Sequence, residues 1–145
     1  MQQIKIQAEV AAPVEAVWSV YTDHVGWARW AGPQEVVLRQ KGDPPPNGLG
    51  AIRVIRARGI AVEEEITAFE PPKRMVYRLV GGIPVVRDHE GEVVFEPFGE
   101  NTRVVWRVRF RPLIPGTGWL LETVLRPQLQ SILDRLVTYP FESGR

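Results

Sequence analysis

The chain has 145 residues, 44% of them hydrophobic and 24% charged, with a net charge of +1 and no cysteine. This excludes a disordered chain, a disulfide scaffold and thiolate metal sites, and it supplies no global field toward nucleic acid or anionic membrane. No apolar run reaches the ~20 residues that span a bilayer, and the N-terminus lacks a signal-peptide core, so one cytoplasmic domain over 1–145, without stable membrane insertion, is expected.

Ile4, Ile6, Ala8 and Val10 alternate with Gln3, Lys5, Gln7 and Glu9, the pattern of a half-buried strand. Pro13 suits a helix start, and Val14, Val17, Trp18 and Tyr21 then fall on one helical face. Asp23 can cap a second short helix that carries Trp27 and Trp30 in "WARWAGP". Strand-like material follows over 34–40, then the turn-rich loop "GDPPPNGLG". Strands are expected over 51–57, 60–69, 74–80, 87–97 and 102–111. The segment from Thr117 to Tyr139 is helical, with Leu121, Val124, Leu125, Gln128, Leu129, Ile132, Leu136 and Tyr139 in one stripe. Pro127 falls mid-helix, where a kink or a loosened turn is expected. The class is α+β: an antiparallel sheet with one apolar face, and a long helix as the only element large enough to cover it.

Strand registers can be read from the turns. Around "EPFGENT", setting Pro97 opposite Thr102 puts Glu96–Arg103, Val94–Val105, Glu92–Arg107, Glu90–Arg109 and Asp88–Arg111 outward. Acid then meets base in most of these pairs, and a one-residue slip would turn them all to the other face. The inward pairs are Phe95–Val104, Val93–Trp106, Gly91–Val108 and His89–Phe110. The arginine stripe that would suggest nucleic acid is thereby neutralised, and no nucleic-acid partner is expected. Around "FEPPKR" the inward pairs are Ala68–Met75, Ile66–Tyr77 and Glu64–Leu79, with Glu65–Arg78 outward. A tight turn at Arg58-Gly59 pairs Ala57–Ile60, Ile55–Val62 and Arg53–Glu64; a three-residue turn would break that register.

The segments "APVEAVWSVYTDHVGWARW", "AFEPPKRMVYRLVGG" and "GENTRVVWRVRFRP", in this order and spacing, resemble the START-like, Bet v 1-like superfamily, often labelled polyketide cyclase/dehydrase and lipid transport. The resemblance covers nearly the whole chain. It implies a helix-grip fold: a curved antiparallel sheet of six to seven strands around a long C-terminal helix, with two short helices after the first strand. It also implies an internal cavity, often for an apolar ligand. The family shares no catalytic motif, so no catalytic residue is carried over.

The residues expected around such a cavity are Trp30, Arg53, Glu64, Tyr77, His89, Trp106 and Gln128, with Gly91 opening space between His89 and Val93. Each also has a plain reading as core. Glu64 is the most informative, since a carboxylate is almost never buried unpaired. It pairs with Arg53, or lies at a wet cavity, or has the opposite strand parity. Trp30 is the expected cavity-end wall, while Trp27 packs beneath the first helix or lies partly exposed. No cofactor or metal is expected: His24 and His89 are far apart, and there is no Cys, no His-x-x-x-His and no phosphate-binding glycine loop.

Three functions follow as expectations. The first is binding or transport of a small hydrophobic ligand, whether a lipid, a polyketide-like or an aromatic molecule. The second is a cyclase or dehydratase in which Glu64, His89 and Tyr77 transfer protons and Arg53 orients an oxygen. The third is an interaction module akin to chaperone regulators, for which an exposed apolar patch at "RPLIPGTGW" would speak. A monomer and a homodimer are both compatible with this reading.

Overall fold

A computed structural model describes residues 1–141; the last four positions of the expected domain lie outside the described residues. Strand β1 (Gln2–Val10) leads into helix α1 (Val14–Thr22) and a short 3-10 helix (Val25–Arg29). Six strands follow: β2 (Glu35–Gln40), β3 (Ile52–Ala57), β4 (Ile60–Glu70), β5 (Arg74–Gly81), β6 (Val86–Phe98) and β7 (Asn101–Pro112). Helix α2 (Gly118–Val137) ends the chain. The seven strands form one antiparallel curved sheet in the order β1-β7-β6-β5-β4-β3-β2, the helix-grip arrangement.

The alternation in β1 places Ile4, Ile6 and Val10 in the core. Val17, Trp18 and Tyr21 of α1 close the same core at one end, with Trp18 against Phe69 at 5.1 Å and Phe95 at 5.2 Å between ring centroids. Asp23 caps the 3-10 helix by accepting from the Gly26 N–H at 3.3 Å.

The β3–β4 connection is the tight turn. Arg58 (φ 54°) and Gly59 (φ 77°) are both left-handed, as a type I′ hairpin requires. The register is therefore Ala57–Ile60, Ile55–Val62 and Arg53–Glu64. In β6–β7 the pairs from Pro97–Thr102 to Glu90–Arg109 stand as read. Below them the register shifts: a bulge at Asp88–His89 (Asp88 φ 53°) sets Arg111 opposite Arg87. His89 is thus not opposite Phe110, although Asp88 still reaches Arg111 at 3.3 Å. Arg103 faces Glu96 but stacks over the Phe98 ring at 4.3 Å.

A second bulge corrects β4–β5. Ile66 faces Tyr77, but Thr67 is extra, so Met75 faces Phe69 rather than Ala68. The bulge delivers the larger side chain, Phe69, to Trp18. On the outer face Glu92 meets Arg74 at 2.6 Å, Glu90 meets Arg109 at 2.6 Å and Glu65 meets Arg78 at 2.8 Å.

Helix α2 packs chiefly on β1. Its inner face is turned from the expected stripe. Leu133 and Leu136 are fully buried, Leu121, Leu125, Leu129 and Ile132 half-buried, and Val124 and Gln128 exposed. At about 100° per residue the buried arc is displaced by roughly 40° toward Leu133. Gln128 is therefore not an inward residue. Pro127 lies within the continuous helix.

Candidate functional site

On the inner face, the β3–β4 register sets Arg53 directly against Glu64. Arg53 is 1% exposed and Glu64 8%. The guanidinium donates from Nε at 2.9 Å and from Nη2 at 2.8 Å, both to Oε1 of Glu64. Its Nη1 donates to Nδ1 of His24 at 3.2 Å. His24, fully buried, in turn donates from Nε2 to the carbonyl of Asn47 at 3.0 Å. Those two bonds assign the tautomer, with the proton on Nε2 and the lone pair on Nδ1. Burial, reinforced by the Arg53 charge, pushes the His24 pKa down to about 3. The ring is therefore neutral at physiological pH.

The two faces of the guanidinium are covered as well. Its Cζ lies 4.6 Å from the Trp27 ring centroid and 4.9 Å from that of Tyr77. Cation–π contacts in such dry surroundings are worth about 1–2 kcal/mol each. Burial would lower the Arg53 pKa, but Glu64 and the two tyrosines more than offset it, so the group stays charged. With all three nitrogens engaged and both faces stacked, Arg53 holds Glu64 in place instead of presenting itself to a cavity. The second carboxylate oxygen of Glu64, Oε2, accepts no hydrogen bond from the described residues.

Tyr77 accepts a hydrogen bond from Trp106 Nε1 at 3.0 Å, and burial raises its pKa well above the usual phenol value. Its ring fills the place where Gly91 was expected to open space. A Cβ on Gly91 would fall inside the Tyr77 ring. The glycine is required by close packing. Gly91→Ala is expected to lower stability by about 1–3 kcal/mol in urea unfolding, with Gly91→Ala/Tyr77→Leu recovering part of the loss. His89 lies beyond the same ring, at 6.1 Å between centroids and 9% exposed, with Nδ1 buried and unpartnered. Burial lowers its pKa and nearby Glu64 partly opposes this, so the ring is neutral near pH 7.

Glu64, Tyr77, His89 and Trp106 thus share one inner region with Arg53. Trp30 does not join them: it is half-buried, 5.7 Å from Trp27 and 6.2 Å from Tyr139. Trp27, 2% exposed, is the tryptophan at the cluster, its Nε1 donating to the Tyr21 carbonyl at 2.7 Å.

Burial along the inner face is uneven. Toward α1 the inward side chains Met75, Val93, Phe95 and Val104 are closed off from solvent. Ile55 and Leu79, toward the β3–β4 turn and the β5–β6 loop, are half-buried, as are Leu38 opposite Arg53 and Leu121, Leu125 and Leu129 of α2, whereas Val36 opposite Ile55 is buried. These side chains pack against the core on the inner face that also carries Glu64 and His89. A depression on the outer face, lined by Gln3, Val76, Arg74, Glu90, Glu92, Arg107 and Arg109, has its charges largely matched in ion pairs. Among the described residues no three His, Asp or Glu side chains converge to hold a metal ion.

The sequence model described as polyketide cyclase/dehydrase and lipid transport matches residues 1–139. The chain belongs to this family. The chain is similar to an aromatase/cyclase, Zhui of Streptomyces sp. R1128, at 20% identity and a TM-score of 0.80, covering 94% of this chain and 92% of that one. It is also similar to a START superfamily protein of Mycobacterium smegmatis, at 13% identity and a TM-score of 0.80, covering 94% of each chain. A Thermobifida fusca protein solved by NMR shares 24% identity with a TM-score of 0.76, over 100% of this chain and 99% of that one. At these identities the likeness establishes the fold. No curated protein matches the chain.

What the sequence reading of this family member missed is His24, Tyr21 and Trp27. A signal was present: Val17, Tyr21 and His24 continue one helical face past the end of α1. Tyr21 sits edge-on to Trp27, Phe95 and Trp106 at 5.2, 5.4 and 5.6 Å, with its buried hydroxyl unpartnered.

Proposed function

We propose that the chain binds a small, uncharged, largely apolar molecule in a groove between the sheet and α2 that these half-buried side chains line, its polar end directed at Glu64 and His89. The observation that carries this reading is partial burial: Leu38, Ile55 and Leu79 of the sheet and Leu121, Leu125 and Leu129 of α2 keep part of their apolar surface exposed. Apolar surface left this way is the lining a ligand needs. The cluster favours a neutral ligand, because Arg53 and Glu64 already cancel and His24 is uncharged.

The test uses N-phenyl-1-naphthylamine, a neutral apolar fluorophore, with native mass spectrometry of the purified protein. Leu125→Glu is expected to weaken dye binding by about tenfold or more, since it puts a charge against the apolar ring system. Arg78→Gln, on the outer face, should leave it unchanged. Equal dye affinity in Leu125→Glu and the wild type overturns the reading.

A second reading is proton transfer on a polyketide-like substrate. It is favoured by the convergence of Glu64, with one oxygen unspent, and neutral His89 on the same face. In this scheme Glu64 is the base, positioned by Arg53, and the Tyr77 hydroxyl is a hydrogen-bond donor. Glu64→Gln and His89→Asn would then abolish turnover of a poly-β-keto thioester while retaining dye binding. Unchanged turnover in both variants removes it.

A further inference from the structure

Three connections meet at one end of the sheet: the β3–β4 turn, the β5–β6 loop and the β7–α2 loop with the first turn of α2. They are contiguous. The Leu113 N–H donates to the Val85 carbonyl at 3.0 Å, and Gly82 lies directly against Ala61. This end gathers exposed apolar side chains: Ile60, Val85, Leu113, Ile114, Trp119 and Leu120. Trp119 is 67% exposed and Ile114 60%, on adjoining segments, which is unusual for a surface that only faces water.

The charge at this end is one-sided. Residues 57–62, 79–87 and 110–121 contain no Asp or Glu. The acids on its border are each matched: Glu35 with Arg56, Glu63 with Arg39, Asp88 with Arg111, and Glu122 with Arg126. Arg58, at the apex of its turn, and Arg87 are exposed and have no carboxylate within salt-bridge distance among the described residues. The opposite end carries exposed Glu96 and Glu100 beside the β6–β7 turn. The sheet therefore has an apolar, cationic end and an opposite end of mixed charge, where Lys73 and Arg103 accompany these acids.

We propose that the apolar, cationic end docks peripherally on an anionic lipid surface. An exposed tryptophan flanked by aliphatic side chains suits the headgroup–acyl boundary, where an amphipathic ring is favoured. The two unmatched arginines supply the attraction to anionic headgroups that a neutral bilayer lacks. A protein partner would equally cover the apolar residues, but the absence of acids across all three connections is what a negatively charged sheet of headgroups rewards. No described helix is long and apolar enough to cross a membrane, so the contact is one of surface docking. Docking stands apart from the groove ligand: it involves neither Leu125 nor Glu64.

The test is co-sedimentation with extruded vesicles of phosphatidylcholine alone and of phosphatidylcholine mixed with phosphatidylglycerol. Wild-type protein is expected to bind the mixed vesicles and to be released as salt rises. Ile114→Asp/Trp119→Asp should weaken that binding by about tenfold or more. Arg58→Asn/Arg87→Gln should weaken it by about fivefold per charge removed and flatten the salt dependence. Asn tolerates the left-handed turn position, and circular dichroism with N-phenyl-1-naphthylamine binding checks that both variants fold. Equal affinity for the two vesicle types, or none for either, overturns the proposal. So does wild-type dimerisation in sedimentation velocity that Ile114→Asp/Trp119→Asp abolishes while vesicle binding is unchanged; a second copy would then be the occupant.

Discussion

Arg53→Met is expected to cost about 3–5 kcal/mol of folding stability at neutral pH, measured by urea unfolding, because it leaves the Glu64 carboxylate buried without its cation. The loss combines several contacts: two bonds to Glu64 Oε1, one to His24 Nδ1, and the stacking on Trp27 and Tyr77. The double variant Arg53→Met/Glu64→Leu is expected to recover most of it, since an apolar pair of similar volume removes the stranded charge. A loss below 1 kcal/mol, or no recovery in the double variant, would show that the pair is dispensable.

Lowering the pH from 6.5 to 4.5 is expected to remove about 2–3 kcal/mol of wild-type stability through His24 alone. The sign follows from the direction of the shift. Burial and the Arg53 charge hold the folded pKa at about 3, below the ordinary imidazole value of 6.5. Above pH 6.5 the ring is neutral in both states and contributes nothing. Below it the unfolded chain binds a proton that the folded chain refuses, so stability declines until the pH approaches 3. His89, also lowered by burial, adds to the decline. His24→Asn, which keeps an acceptor for Arg53, should be less stable at pH 7 but show a shallower fall. The readout is the difference between the two slopes of unfolding free energy against pH. Parallel slopes would refute the assignment.

The strand registers were legible where charge or a turn fixed them. The alternating acids of β6 and arginines of β7 permit one alignment, and Arg58-Gly59 permits one turn; together these place Arg53 against Glu64. The bulges were not legible, because tertiary partners decide them. Thr67 is extruded so that Phe69 reaches Trp18, and nothing local to "ITAFE" records where Trp18 will be. The same holds for Gly91, which reads as free space until the Tyr77 ring is seen across it. Trp27 and Trp30 share one short segment, so periodicity could not divide them. A single bond from the Trp27 indole to the Tyr21 carbonyl does. Gln128 fell on a stripe drawn by hydrophobicity alone, whereas the burial of Leu133 shows how far the helix is rolled.

The strand order has a consequence for how the chain is made. From β2 to β7 every neighbour in the sheet is also the neighbour in sequence, so six strands can be laid down hairpin by hairpin as they emerge. β1 is the exception. It is synthesised first but pairs with β7, Gln2 meeting Phe110, and α2 then packs on β1. The first strand must therefore wait, its backbone donors and its Ile4–Ile6 face uncovered, until nearly the whole chain has been made. The longest loop in the fold closes last. During synthesis this waiting strand, rather than the finished sheet, is the part of the molecule most open to wrong partners.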